Sequence, residues 1–143
     1  MSVVSHRSSI DPAASTPPST AETIVEVLPS GLTMLAELSG DSPVVAVQVW
    51  VAAGSSSDPS AGSGAAHLLE HMVFKGAGTR AGAELTRAVE AVGGDLNAWT
   101  SVDQTCFHVT VPTSGFEIAA ETLGAMAWQP WLRAEDLEPE RGV

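Results

Sequence analysis

Three neighbouring residues carry side chains that can bind a metal ion and move a proton. His67, Glu70 and His71 lie in the run HLLEH, and residues three and four apart share one face of a helix. The two imidazoles would stand about one turn apart, roughly 6 Å along the axis, which suits two nitrogens on one Zn²⁺. A carboxylate beside them can accept a proton from water and return it to a leaving amine, and the order of the motif inverts the His-Glu-x-x-His zinc motif. The run therefore favours a metal site, at which the Glu70 carboxylate could serve as the general base of metal-assisted peptide hydrolysis.

The same three residues also admit a purely structural interpretation. Two histidines and a glutamate at this spacing can form a hydrogen-bonded network on a solvated helix face, without any metal. The remainder of the predicted helix, Ala65 to Phe74, is apolar. Because an apolar helix offers little structural reason for three adjacent polar groups, this context favours metal binding.

Composition limits the classes of function. The chain has 143 residues, 44% of them hydrophobic, which is enough for one globular domain with a core. Six basic residues stand against 17 acidic ones, and the formal net charge of -11 argues against a nucleic-acid partner and against a polybasic membrane-binding patch. Cys106 is the only cysteine, which excludes an internal disulfide and a cysteine-based zinc site.

Two segments bear on location and on domain boundaries. The longest apolar run, Val44 to Ala53, is interrupted by Gln48 and is shorter than the roughly 18 residues of a membrane-spanning helix. Residues 8–20 are rich in Ser, Pro and Ala and lack the apolar segment of an export signal, so we expect no membrane partner and a cytoplasmic location. Residues 1–21 are predicted to be a disordered tail, since ordering them would bury little apolar surface, and residues 22–143 to form the folded domain.

Alternating and amphipathic patterns predict a mixture of strands and helices. Pro29-Ser30-Gly31 is typical of a hairpin turn, and Gly93-Gly94 is typical of a helix end. The predicted strands are 23–28, 32–38, 44–53, 95–101 and 105–111. The predicted helices are 65–74, 83–92, one that opens near Ser114 and one that begins at Arg133.

Finer expectations follow from the same patterns. Both faces of 44–53 are apolar, which predicts a central strand buried on both sides. Ser114 and Glu117 have the spacing of a capping box for the third helix. The buried stripe of that helix would be Phe116, Ala119, Ala120, Leu123 and Ala127. Cys106 is expected to be a small buried hydrophobe, and His108 a strand residue without metal.

Several segments follow one another in an informative order. The sequence HLLEHMVFKG begins at His67, residues 49–55 precede it with VWVAAGS, and residues 93–100 follow it with GGDLNAWT. Asp103-Gln104-Thr105 then opens an alternating apolar strand. These segments, with 135–143, resemble the pitrilysin family of zinc metallopeptidases, which includes insulinase and the mitochondrial processing peptidase. The resemblance covers about residues 22–143.

The resemblance implies a fold, a cofactor and a substrate. The fold would be α+β, a ferredoxin-like layered sheet with the helices of the pitrilysin-type N-terminal domain. His67 and His71 would bind Zn²⁺, and Glu70 would activate a zinc-bound water for attack on a peptide bond. The strand at Asn97 and Ala98 would pair with an extended peptide or protein substrate through main-chain hydrogen bonds.

The third zinc ligand separates two hypotheses. In this family it is a glutamate about 75 residues beyond the second histidine, which places it just beyond Val143 in a domain truncated at its carboxyl end. Glu138 and Glu140 are the nearest acids, but a shift of about two helical turns would need a different geometry. The chain is therefore expected to be the N-terminal catalytic part of a zinc metalloendopeptidase. The alternative is a truncated or split module that binds metal or peptide without catalysis until a second chain or domain completes the site.

Overall fold

The computed structural model describes residues 22–38, 40, 42–60 and 63–141. The backbone divides into two compact units between Asp41 and Ser42. The tail predicted over residues 1–21 lies outside the described part of the chain. None of the helices in the described ranges is long and apolar enough to cross a membrane.

The first unit contains the predicted hairpin. Strand β1 (Glu22–Val27) pairs antiparallel with β2 (Thr33–Leu38). The turn between them is closed by a hydrogen bond from the Leu28 N–H to the Leu32 carbonyl oxygen at 2.8 Å. Gly31 adopts φ +87° in this turn, a conformation that favours glycine because it has no Cβ.

The second unit is a three-stranded sheet with helices on one of its faces. In chain order it contains β3 (Val44–Val51), α1 (Ala65–Val73), β4 (Gly76–Ala77), β5 (Arg80–Ala81), α2 (Gly82–Glu90), β6 (Asp95–Thr100), β7 (Thr105–Pro112), α3 (Phe116–Trp128) and α4 (Ala134–Glu140). The order in the main sheet is β3-β7-β6, and both pairs are antiparallel. The short strands β4 and β5 form a separate pair.

The core lies between this sheet and helices α2 and α3. Strand β7 is central and contributes Phe107, Val109 and Val111, all of them buried. Helix α2 contributes Leu85 and Val89 at helical spacing. Helix α3 adds Ala119, Leu123 and Met126. The core therefore holds the sheet and these two helices as one layered frame.

The prediction that β3 is a central strand buried on both faces is wrong. Within the described ranges β3 lies at one edge, because β7 pairs with both β3 and β6. Val44, Ala46, Gln48 and Trp50 alternate along its exposed face, which the helices do not cover. Trp50 packs edge-on against Trp99 at 5.2 Å between ring centroids, and Cys106, which lies between them in the register, is 1% exposed. The prediction of a buried Cys106 is thus confirmed. The outer face of β3 contains the apolar Trp50 because this side chain packs against Trp99, and no second layer of the described residues covers that face.

The predicted capping box of α3 is also wrong. Residues Thr113–Gly115 form a 3₁₀ turn, so the cap position falls on Gly115 and no side chain caps the helix. The helix consequently begins at Phe116, which is 52% exposed and lies outside the core. Its buried positions are Ala119, Thr122, Leu123 and Met126.

The chain between β3 and α1 is bonded to the turn between β6 and β7. The Ser55 N–H donates to the Ser101 carbonyl oxygen at 3.0 Å, and the Ser56 N–H donates to that of Val102 at 2.8 Å. Gly54 is buried at the start of this contact. A Cβ at Gly54 would overlap the main chain of Ser101 and approach the Gln104 nitrogen to 2.7 Å. Only glycine allows the two segments to lie this close.

Gly54→Ala should lower the free energy of unfolding by about 1–3 kcal/mol, because the added methyl group forces main-chain segments apart. The matched control is Gly124→Ala in α3, where a Cβ meets nothing within 4 Å. That control should raise the same free energy by about 0.5–1 kcal/mol through helix propensity. Urea unfolding followed by circular dichroism measures both, and equal values for the two variants would contradict the close approach at Gly54.

Candidate active site

Helix α1 brings the predicted site residues together on one face. The ring centroids of His67 and His71 are 4.6 Å apart, with the ring planes at 75°. His67 is exposed, His71 is partly buried and Glu70 is 8% exposed. The spacing of the motif therefore produces two adjacent imidazoles with a shielded carboxylate beside them.

The start of α1 is held by a carboxylate from outside the helix. Asp58 accepts hydrogen bonds from the N–H groups of Ala65 and Ala66, at 3.1 Å to Oδ2 and 2.9 Å to Oδ1. The hydrogen bond from Ala66 holds the pKa of Asp58 below its ordinary value, although partial desolvation acts in the opposite direction. The bonds satisfy two of the free N–H groups that every helix start exposes.

The Glu70 carboxylate is held from the sheet. The Thr100 hydroxyl, at the end of β6, donates to Glu70 Oε2. Thr105 lies directly opposite Thr100 in the sheet, with 3.4 Å between the two hydroxyl oxygens. The Thr105 hydroxyl donates in turn to the Ala53 carbonyl oxygen at 2.9 Å. Glu70 is thus attached to the frame built by β6, β7 and the chain just after β3.

The His71 ring is held from α4. Glu140 Oε2 lies 3.0 Å from His71 Nδ1, and Glu140 Oε1 pairs with the Lys75 ammonium group. The hydrogen bond from Lys75, followed by that from His71, keeps the pKa of Glu140 below its ordinary value. An ionised carboxylate can only accept a hydrogen bond, so the proton lies on Nδ1, and in the neutral ring this tautomer leaves the lone pair on Nε2. Such a carboxylate partner is typical of histidines that bind zinc.

The donor set fits two protein ligands of a zinc ion. His67 and His71 present neighbouring imidazoles on one face, and the second of them has the orienting carboxylate that metal-bound histidines usually have. Over the described ranges, however, no three His, Cys, Asp or Glu side chains converge as a complete ligand group. Glu140 is engaged with His71 and Lys75, and Glu138 pairs with Arg141 at 3.0 Å. Neither acid completes a metal site in this arrangement.

Asn97 and Ala98 lie on β6, which is an edge strand of the described sheet. The Ala98 N–H donates to the Asn97 side-chain oxygen Oδ1 at 2.9 Å. The same strand ends at Thr100, which contacts Glu70. A peptide lying along this edge would therefore run toward the shielded carboxylate.

Sequence reasoning missed the groups that hold α1 and its side chains. These are Asp58, Lys75, Thr100 and Thr105, together with Glu140, for which the sequence suggests only a metal-binding role. Asp58 lies seven residues before Ala65, beyond the usual capping position, and Glu140 lies 69 residues beyond His71. Only the pairing of Thr100 with Thr105 across a short turn left a local signal in the sequence.

Comparison with known proteins places this geometry in a family context. The model of the insulinase family (peptidase family M16) matches residues 33–143. A protein named as an uncharacterized zinc protease of Mycobacterium tuberculosis is 36% identical over 137 residues, which are 96% of this chain and 30% of the relative. The beta subunit of the mitochondrial-processing peptidase of Caenorhabditis elegans is 36% identical over 122 residues, 85% of this chain and 26% of the relative. The chain thus spans less than a third of the length of these curated relatives.

Solved structures support the same fold. The crystal structure of pitrilysin matches with a TM-score of 0.78 and 27% identity, over 86% of this chain and 13% of that chain. A protease from Helicobacter pylori matches with a TM-score of 0.79 and 27% identity, over 85% of this chain and 30% of that chain. These similarities confirm the predicted α+β fold of the pitrilysin type.

Asp58→Asn should lower the stability of the protein at neutral pH, because an uncharged amide accepts hydrogen bonds from the helix start more weakly. Since the pKa of Asp58 in the folded state is lower than the ordinary 3.8, its contribution is complete above that value and is lost as the pH falls through the folded-state pKa. The difference in unfolding free energy between wild type and Asp58→Asn should therefore be constant above about pH 5 and shrink below pH 3.8. Urea unfolding over this range measures the difference, and a pH-independent value would contradict the role of Asp58.

Proposed function

The chain belongs to the insulinase family (peptidase family M16), and from this premise we propose that it is the zinc-binding part of a metalloendopeptidase. The observation that carries the proposal is the face of α1, where two adjacent imidazoles flank a carboxylate that is 8% exposed. The relatives named as zinc proteases support the cofactor and the class of reaction.

His67 and His71 would bind the zinc ion. The Nδ1 proton of His71 is held by Glu140, so its Nε2 points its lone pair away from that contact and is available to a metal. A bound zinc ion would polarise the peptide carbonyl and make water more acidic. The third ligand is proposed to be a carboxylate outside the described residues, as the family resemblance implies.

Glu70 would act as general base and then as general acid. Its carboxylate takes a proton from the attacking water as the water oxygen bonds to the peptide carbonyl carbon. It then gives that proton to the amide nitrogen as the carbon–nitrogen bond breaks, so that a carboxylic acid and an amine leave. Its low exposure limits the contact of the carboxylate with bulk water.

The substrate would be an extended peptide lying against β6. Addition of a strand to a sheet edge uses main-chain hydrogen bonds and reads shape more than sequence. In this structure the Ala98 N–H already donates to Asn97 Oδ1, so a peptide carbonyl that pairs with that N–H must displace the Asn97 side chain. The peptide would then pass the end of β6, where Thr100 contacts Glu70.

A second candidate function is a metal- or peptide-binding module without its own activity. Two histidines, and no complete group of three ligands, lie together over the described ranges. A second domain or a second chain would then supply the remaining ligand. A relative that is named as the beta subunit of a peptidase supports the possibility of a second chain. A peptidase assay on the 143-residue chain separates the candidates, because chelator-sensitive cleavage by that chain would exclude the module.

Glu70→Gln in the full-length protein that carries this chain should lower kcat for peptide hydrolysis by about 10²- to 10⁴-fold, because an amide cannot accept the proton of water. Zinc content, measured by mass spectrometry, should remain that of wild type, since the two imidazoles are unchanged.

His67→Ala is the matched variant and should lose both activity and zinc. An unchanged rate in Glu70→Gln would exclude Glu70 as the general base, and full zinc content in His67→Ala would exclude His67 as a ligand.

A further inference from the structure

We propose that Thr100 is the positioning residue for Glu70: its hydroxyl holds Oε2 of the carboxylate and leaves Oε1 for the attacking water. The inference rests on the proposed function, in which Glu70 is the general base. Thr100 lies on β6 and Glu70 lies on α1, so a residue of the sheet orients a side chain of the helix.

The direction of the hydroxyl protons follows from counting donors and acceptors. Each threonine hydroxyl has one proton to donate. The proton of Thr105 is used by the Ala53 carbonyl oxygen, 2.9 Å away. Thr100 has two neighbours, the Glu70 carboxylate and, at 3.4 Å, the hydroxyl oxygen of Thr105. The Glu70 oxygen is much the closer of the two, so the Thr100 proton points to Glu70 Oε2.

The two oxygens of Glu70 therefore differ. Oε2 has its donor in Thr100. Oε1 makes no hydrogen bond within the described ranges and is not fully buried, so a water molecule can reach it. A general base needs one oxygen within hydrogen-bond reach of the water it deprotonates. The contact with Thr100 thus fixes Oε2 and leaves Oε1 to accept the proton of the attacking water.

The support is rigid because of where Thr100 lies. It is the last residue of β6, it pairs directly with Thr105, and the next turn is closed by the hydrogen bond from Ser101 N–H to the Gln104 carbonyl oxygen at 2.8 Å. A β-branched side chain in a strand has few rotamers available, which restricts the direction of the hydroxyl. The last torsion of a glutamate, in contrast, rotates over a broad range when nothing holds the carboxylate. Without the hydroxyl, Glu70 would keep its place on the helix and lose the orientation of its oxygens.

Thr100→Val tests this role, because valine keeps the shape and the β-branch and removes the hydroxyl. Thr100→Ser restores the hydroxyl without the methyl group. The matched control is Thr110→Val, the same change on β7 at an exposed position whose side chain points to the opposite face of the sheet from Thr105.

In the full-length protein that carries this chain, Thr100→Val should lower kcat about 10- to 100-fold and change KM less than about twofold. Thr100→Ser should recover most of the rate, and Thr110→Val should retain it. Zinc content should stay close to wild type in all three variants, and the melting temperature should stay close to wild type in Thr100→Ser and Thr110→Val. Thr100→Val should melt a few degrees lower, because it removes the hydroxyl that holds a shielded carboxylate. A wild-type kcat in Thr100→Val, or a loss of rate accompanied by an equal loss of zinc, would overturn the proposal.

A second readout does not depend on peptidase activity. In crystal structures of the metal-free protein, wild-type Glu70 should occupy one conformer with Oε2 on Thr100, whereas in Thr100→Val the carboxylate should rotate or occupy several conformers. An unmoved carboxylate in that variant would refute the positioning role. If wild type proves inactive on every peptide tested, the proposed function fails, and this structural comparison alone decides the role of Thr100.

Discussion

A helix of nine residues is too short to be stable through its own hydrogen bonds, because isolated helices become stable only near about 12–15 residues. Helix α1 therefore depends on contacts made by other parts of the chain. Asp58 holds its first N–H groups, Thr100 holds Glu70, and Glu140 holds His71 near its end. The same contacts that keep the helix in place also orient the two most shielded side chains of the proposed site, so stability and site geometry have a common origin.

The three carboxylates around α1 receive different donors. Asp58 accepts main-chain N–H groups, and Glu140 accepts from a lysine and a histidine. These contacts lower the pKa of both acids and stabilise them as fixed anions. Glu70 receives one neutral hydroxyl on one oxygen. Within the described ranges, the proposed base is thus oriented by a neutral hydroxyl, whereas main-chain N–H groups hold Asp58 and two basic side chains hold Glu140.

The sequence predicted what is local and missed what is remote. The spacing of His67, Glu70 and His71 settles which face of a helix they share, and alternation predicted the strands of the main sheet to within one or two residues. Strand β3 lies at the edge because β7 pairs with both β3 and β6. The alternation of apolar residues within one strand does not indicate which other strands it pairs with. Glu140 contacts His71 only because α4 packs against α1. The sequence alone therefore does not indicate that this glutamate orients the histidine. The cytoplasmic location, the disordered tail and the substrate contacts stay predictions.

The hydrogen bond between the Ala98 N–H and the Asn97 side chain has a further consequence for the free chain. An exposed strand edge attracts other strands, including those of further copies of the same protein, and so promotes aggregation. In this structure the side-chain amide of Asn97 covers an N–H of the outermost described strand. A partner that brings many main-chain hydrogen bonds can displace one side chain, whereas a brief collision gains little by doing so. The Asn97 side chain therefore hinders transient pairing of another strand at this N–H. A strand that forms main-chain hydrogen bonds along the whole edge would displace it.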